Sequence, residues 1–432
     1  MNYRTLLIRQ LALTLINGTH SRDGLARSIA DCINLEFEGA LPLAGELARG
    51  LNWDQVSPTQ LEQWLDNNDQ FRGLYRNQRL KIIKWPLTVA TDTQQPPLGA
   101  AWRLPHFGNT DELAQWCGLS PGDLNWYCQR YPNPHSDAPK LQHYHYQTRQ
   151  KSDGQYRILE TPKSRLKSLQ RRLNRELLHR IPVHDAAHGF VRGRSVKSFS
   201  RLHVDRPVVL AMDLKHFFLS VPPGRLVRFF QRLGYDLAVS RALTGLCLNQ
   251  TPEAALTPIH SLATRGLYRQ PHLPQGAPTS PVLANLMAFR LDLRLEAAAH
   301  GQGFCYTRYA DDLAFSSHRH DRTATRILQR QVRSIAADEG FAIKEEKTRV
   351  MTRAGRQKLA GVVVNKKQSL PKAEIKQLEA ILYNCVRYGP HSQNRADHPQ
   401  FKAWMEGKLA YVQHLAPHHF ERLQRHFELI QW

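Results

Sequence analysis

The chain has 432 residues, with 59 Lys and Arg against 37 Asp and Glu, for a formal net charge of +22. That length is enough for two or three domains and a substantial core. The charge excess points to a polyanionic partner, most simply nucleic acid, unless it is only a basic solvated surface. The six cysteines, Cys32, Cys117, Cys128, Cys247, Cys305 and Cys385, show no CxxC or Cys/His zinc spacing. With no signal peptide or long apolar run, this argues against a membrane protein or a disulfide framework, and a cytoplasmic protein with reduced thiols is expected.

Residues 1–100 read as a helical N-terminal extension. Leu6-Leu7-Ile8 is broken by Arg9 and Gln10, as in an amphipathic helix. Ser57-Pro58 pairs an N-cap with a first-turn proline, and Leu61, Trp64 and Leu65 give that helix an apolar face. No chemistry is visible here, and the Thr/Gln/Pro-rich stretch 88–99 has the composition of a linker. Residues 109–124 predict two short helices about a Gly-containing turn. The second presents Asp123, Asn125 and Trp126 rather than a basic face, so packing on a neighbouring domain is expected over DNA binding. His143 to Tyr146 begins a strand, Ser152-Asp153-Gly154 marks a hairpin turn, and a basic helix through Arg171, Arg172 and Arg175 follows. In 188–195 two glycines with Arg192 and Arg194 predict a tight loop, either held against phosphate or template or turned to water. His184 and His188 have HxxxH spacing without a clear third ligand, so a structural role is expected rather than zinc.

Val208 to Leu214 is a buried-strand pattern interrupted by one acid, Asp213. Phe304 to Ser316 reads as strand, tight turn, strand, with Ala310, Asp311 and Asp312 at or near the turn. Each acid taken alone has a bland reading, as a solvated turn or strand end. Two carboxylates in an apolar hairpin otherwise need charge compensation. A divalent cation supplies it, since Mg²⁺ takes oxygen ligands, usually one or two carboxylates plus substrate phosphates. Between the two stretches, Leu273 to Pro281 is a rigid Pro/Gly loop leading into the apolar run 282–287. Downstream, a helix stops at Gly340, Lys347-Thr348 follows, and Gln357 to Asn365 reads as a hairpin. Pro371 opens a helical region in which Ile375, Leu378, Leu382 and Cys385 recur at helical spacing up to Gly389. Lys402, Lys408, Arg422 and Arg425 mark either a basic face towards nucleic acid or ordinary solvated charges.

Together, the Asp213 strand, the loop through Gln275 and the Asp311-Asp312 hairpin resemble the palm of retron-type bacterial reverse transcriptases. The resemblance extends from about residue 105 to the end. It implies an α+β right-hand polymerase fold, with fingers at 101–205, a palm with an antiparallel sheet at 206–368 and a small helical thumb at 369–432. The implied activity is RNA-directed DNA polymerisation, a nucleotidyl transfer using two Mg²⁺ ions, with Mn²⁺ as the alternative. Asp213 and Asp311 would bind both ions, with Asp312 in support.

By the same resemblance, Lys151 and Arg157 reach the incoming triphosphate, whose charge the metal ions only partly neutralise. Phe218 lies under the sugar and excludes a 2′-hydroxyl, and Gln275 contacts nucleotide and template. Arg192, Arg194, His203, Lys347 and Gly361 fall at RNA or primer contacts, and Lys347 is also placed to assist protonation of pyrophosphate. His216 stands where many relatives carry an acid. Two signatures depart from the family. Phe199-Ser200-Arg201-Leu202-His203 keeps only His203 of the usual Asn-Ala-x-x-His, and Leu359-Ala360-Gly361 keeps only Gly361 of Val-Thr-Gly. The implied partners are a dedicated noncoding RNA as template and primer, its DNA product, dNTPs and, in a phage-defence setting, an effector protein. Two rival readings stand: a non-retron defence polymerase making single-stranded DNA, and a non-catalytic RNA-binding scaffold. The intact carboxylate set argues against the scaffold.

Overall fold

The computed structural model describes residues 3–16, 20–53, 56, 58–78, 80–82, 102–128, 141–150 and 154–432. The chain divides into two compact units, Met1–Gln95 and Pro96–Trp432. The first is helical among its described residues: Tyr3–Ile16, Arg22–Cys32, Phe37–Gly50, Pro58–Asn67 and Asp69–Asn77. Ser21 and Asn68 cap two of these helices, their side-chain oxygens accepting from the Gly24 and Phe71 amides. Leu7, Leu11 and Leu15 recur at helical spacing and pack with Leu25, Ile29, Leu43, Leu47 and Phe71 in one apolar core. Leu61 and Leu65 join it as their spacing predicts, with Trp64 half-buried against it. Ser57 and the stretch 88–99 lie outside the described residues.

The second unit is built on an antiparallel sheet. Its strands are β3 (Val208–Lys215), β4 (Phe304–Tyr309), β5 (Asp312–Ser317), β6 (Ala342–Ile343) and β7 (Arg349–Thr352). The order is β4-β5-β3-β6, with β7 also paired to β3. Alternate residues of β3 enter different cores, as the two-residue period of a strand requires. Val208, Leu210, Met212 and Leu214 pack with helices Ser164–Glu176, Pro223–Arg232, Leu237–Cys247 and Phe289–Gly301. Val209 and Ala211, with Ala314 of β5, pack towards helices Lys372–Tyr388, Phe401–Leu415 and Pro417–Glu428. A sheet covered on both faces explains why β3 reads as a continuous apolar run broken only by Asp213.

The remaining strands form two hairpins: β1 (Tyr144–Gln150) with β2 (Tyr156–Pro162), and β8 (Lys358–Leu359) with β9 (Val362–Val363). The two short helices around 109–124 form at Thr110–Cys117 and Pro121–Cys128. Leu113, Ala114, Cys117 and Leu124 enter the large core, so this pair serves packing. Gly118, Gly340 and Gly389 all take positive φ just past helix ends. All six cysteines are free thiols, and no described helix is long and apolar enough to cross a membrane.

Candidate active site

The β3–β5 register sets Asp213 directly opposite Asp312. Between β4 and β5, Tyr309 pairs with Asp312, which leaves Ala310 and Asp311 as a two-residue loop. Ala310 takes φ +55, the left-handed region that such tight hairpin loops demand and that alanine rarely occupies. The Asp311 carbonyl accepts from the Leu214 amide at 2.9 Å, and the Asp213 carbonyl accepts from the Lys344 amide at 2.7 Å. Three carboxylates from two separate stretches of sequence thus meet at one end of the sheet.

Their electrostatics are those of crowded like charges. Burial, then Asp311 and Asp213, push the Asp312 carboxyl up to about 7, against the opposing pull of Lys347 and Arg349. Asp213 is buried, and Lys347 Nζ lies 2.5 Å from its Oδ2. Burial pulls the Lys347 ammonium down, but Asp213 and then the other two carboxylates outweigh this and hold it above its ordinary value. Among the described residues, no set of three or more His, Cys, Asp or Glu side chains is already gathered as a metal cage. The donor chemistry nevertheless fits a hard divalent cation: the set is all oxygen, and its mutual repulsion is only partly offset by Lys347 and Arg349.

The family model for reverse transcriptase (RNA-dependent DNA polymerase) matches residues 149–401. The retron Mx65 reverse transcriptase of Myxococcus xanthus is 38% identical over 330 residues, covering 76% of this chain and 73% of the relative. The retron Mx162 reverse transcriptase of the same organism is 35% identical, covering 66% of this chain and 61% of the relative. The retron Ec86 reverse transcriptase of Escherichia coli is 28% identical, covering 53% and 65%. The chain is a retron-type reverse transcriptase. It is accordingly an RNA-directed DNA polymerase with the polymerase fold of that family, and its sheet is antiparallel as expected.

Other residues anticipated from the sequence fall in varied places within the reverse transcriptase. Arg157 is exposed on β2, while Ile158 and Glu160 on the alternate face are buried. The Glu160 amide donates to the Gln275 carbonyl at 2.8 Å, so the Gln275 loop docks three residues along the strand from Arg157. Gly276 takes φ +130 there, and a Cβ on it would lie 2.9 Å from the Glu160 carbonyl oxygen. Lys151 lies outside the described residues. Phe217 is a core residue, whereas Phe218 is half-buried, its ring 5.6 Å from that of Phe217 and 6.1 Å from that of Phe190. Arg192 is exposed, and Gly361 takes φ +91 between β8 and β9. Lys347 reaches the carboxylates, through Asp213.

One expectation is corrected. His203 is fully buried and cannot present its ring to RNA. Its Nδ1 and Nε2 each lie 2.7 Å from a hydroxyl, those of Ser316 on β5 and Thr307 on β4. Phe199 of the same departing segment is also core, so this segment braces the sheet from behind. Arg194 is engaged within its own loop: Nη1 donates to the Ala187 carbonyl at 2.8 Å and Nη2 to Asp185 Oδ1 at 2.8 Å. The structural reading of the HxxxH pair agrees with the contacts, His184 accepting from the Ala186 amide and His188 lying 2.8 Å from Ser198 Oγ.

Sequence reasoning missed two buried polar groups. Glu160 meets His272, Asn249 and Thr251, each at 2.8 Å, and so fastens the β1–β2 hairpin to the chain before Gln275. Behind the Ala310-Asp311 loop, Arg308 is fully buried with Asp292 and Asn285. The available signals were an acid within each of two segments that fold as strand or helix, and an arginine in the strand entering the loop.

Proposed function

We propose that this reverse transcriptase copies a dedicated noncoding RNA into DNA, in an anti-phage setting, with Asp213, Asp311 and Asp312 as its catalytic carboxylates. The meeting of these three acids at one sheet end is the observation that carries the reading. They would hold two divalent ions, Mg²⁺ or Mn²⁺, whose chemistry is to activate the primer hydroxyl and neutralise the leaving pyrophosphate. Lys347 offsets the charge of Asp213 and stands ready to donate a proton as pyrophosphate departs.

The sheet acts as palm, the β1–β2 hairpin as fingers and the three C-terminal helices as thumb. Residues 1–100 act as an extension to this hand. Arg157 and Lys151 bind the triphosphate, and Gln275 orients nucleotide and template. Phe218 excludes the 2′-hydroxyl by bulk. Arg192 and the β8–β9 hairpin at Gly361 contact RNA or primer, and an effector protein completes the system.

Two measurements test this. Primer extension by the purified protein separates a polymerase from an RNA-binding scaffold. Nucleic acid bound to the protein expressed from its native locus is then sequenced. A short structured RNA from beside the gene, joined to or copied into DNA, is the expected result. Single-stranded DNA without RNA linkage supports a second reading, a non-retron defence polymerase, which the departing 199–203 and 359–361 segments favour. Bulk cellular RNA alone contradicts a dedicated template.

A further inference from the structure

Beneath the two-residue loop that carries Asp311 lies a set of charged and polar side chains that touches no solvent. The Arg308 guanidinium grips Asp292 with two bonds, Nε to Oδ1 at 2.7 Å and Nη2 to Oδ2 at 2.6 Å. Its remaining nitrogen, Nη1, donates to the Ala310 carbonyl and to Asn285 Oδ1, both at 2.9 Å. The Asn285 amide then donates to the Gly189 carbonyl at 2.8 Å. Gly189 closes the circuit. A Cβ placed on it would lie 2.5 Å from the Ala310 nitrogen, so its backbone rests directly on the loop. Backbone bonds run alongside, from the His188 amide to the Arg308 carbonyl and from the Arg308 amide to the Ala186 carbonyl, each at 2.7 Å.

Two physical facts make this more than packing. A left-handed alanine persists only where its surroundings over-determine it, and Ala310 is bonded at its carbonyl by Arg308 and packed closely on its amide side by the Gly189 backbone. A planar guanidinium with a carboxylate, an amide and a carbonyl at fixed angles fixes orientation in a way an apolar residue of equal volume cannot. We propose that Arg308, Asp292 and Asn285 form one buried clamp that sets the direction of the Asp311 carboxylate and locks the loop after Ala186 to it. All three are positioning residues and touch no substrate. The proposal rests on the reading of Asp311 as a metal-binding carboxylate.

Complete removal of the Arg308 side chain would strand Asp292 as a buried charge, so milder variants test the clamp. Arg308→Lys keeps the charge beside Asp292 but lacks the fork that also reaches Ala310 and Asn285. Asn285→Ser keeps a polar side chain but is too short to bridge to Gly189. For each full-length variant, Mn²⁺ binding is followed by electron paramagnetic resonance, together with kcat and KM for dNTP, RNA affinity and the unfolding midpoint. Mn²⁺ affinity and kcat are expected to fall about 10–100-fold, the range for groups that orient metal ligands, while KM, RNA affinity and unfolding midpoint stay near wild type. Wild-type Mn²⁺ affinity and kcat in both variants overturn the clamp, as does loss of the folded state in both. Asp311→Asn runs beside them as a control. If it extends primers at the wild-type rate, the metal reading itself fails, whereas an inactive Asp311→Asn beside fully active clamp variants removes only the clamp.

Discussion

The two units of the chain use burial in opposite ways. Residues 1–95 carry ten basic and ten acidic side chains, so the whole +22 excess resides in 96–432. No charged or polar residue is buried among the described residues of the first unit. The second buries Glu160, His203, Asp213, His272, Asp292, Arg294, Arg308 and Glu339, among others. Burying such groups opposes folding unless each finds partners, and a hydrophobic replacement is often as stable. What they supply is direction, because hydrogen bonds fix angles and apolar contacts do not. In the second unit several of the buried polar groups stand behind the candidate site: Arg308 and His203 behind the Asp311 hairpin, and Glu160 behind Arg157 and the Gln275 loop, whereas Arg294 and Glu339 pair with each other elsewhere. The first unit has a self-sufficient apolar core and no excess charge to attract a phosphate backbone.

The contrast can be broken most severely at the carboxylates. Asp213→Asn or Asp311→Asn should reduce Mg²⁺-dependent primer extension to background with the unfolding midpoint little changed, since one ligand charge is removed from a site already crowded with negative charge. A purified variant extending primers at the wild-type rate would remove the assignment.

Sugar selection comes next in size. Phe218→Val should raise rNTP incorporation relative to dNTP by roughly 10–200-fold, the range for steric discrimination in an apolar pocket. The two are compared on one primer-template, and an unchanged ratio in a folded variant leaves Phe218 with packing alone.

The buried histidine predicts a pH dependence. Burial first, then Arg206 and His188, lower the His203 pKa to about 3, whereas in the unfolded chain it protonates near 6.5. Between those values the unfolded state binds more protons. The contribution of His203 is therefore complete above about pH 6.5 and is lost as pH falls towards 3, on the order of a few kcal/mol. Urea unfolding from pH 7.5 to 4 should show this slope, and His203→Gln should flatten it. An identical slope in the variant would mean that other groups carry the acid sensitivity.

Charge placement gives the mildest test. Replacing one exposed basic residue of the second unit that touches the RNA backbone, with Arg192→Gln as the trial, should reduce the salt slope of RNA binding by about 1. Replacing Arg27 or Arg49 of the first unit should leave it unchanged. Equal effects from both units would erase the distinction drawn from charge.

Much of this protein was legible in its sequence because the signals are local. The apolar period of the first helices, the proline before Lys372, the glycines past helix ends and the strand-loop-strand around Asp311 each depend on residues a few positions apart. The three carboxylates were legible for the same reason: an acid inside an apolar strand or hairpin is conspicuous wherever the chain goes. The role of His203 was misread because burial and partner choice are decided by residues distant in sequence. Nothing near His203 announces that Thr307 and Ser316 will close on its ring. Nor does anything near Arg308 announce that Asp292 and Asn285 will bond to it and Gly189 will complete the contact with Ala310. Local sequence determined which segments become strand, helix or turn and which residues bring charge into apolar surroundings. Only the tertiary structure decided which of those charges meet, because a hydrogen bond or ion pair requires two groups brought within about 3 Å, and for these groups only the folded sheet and the helices packed on it do so.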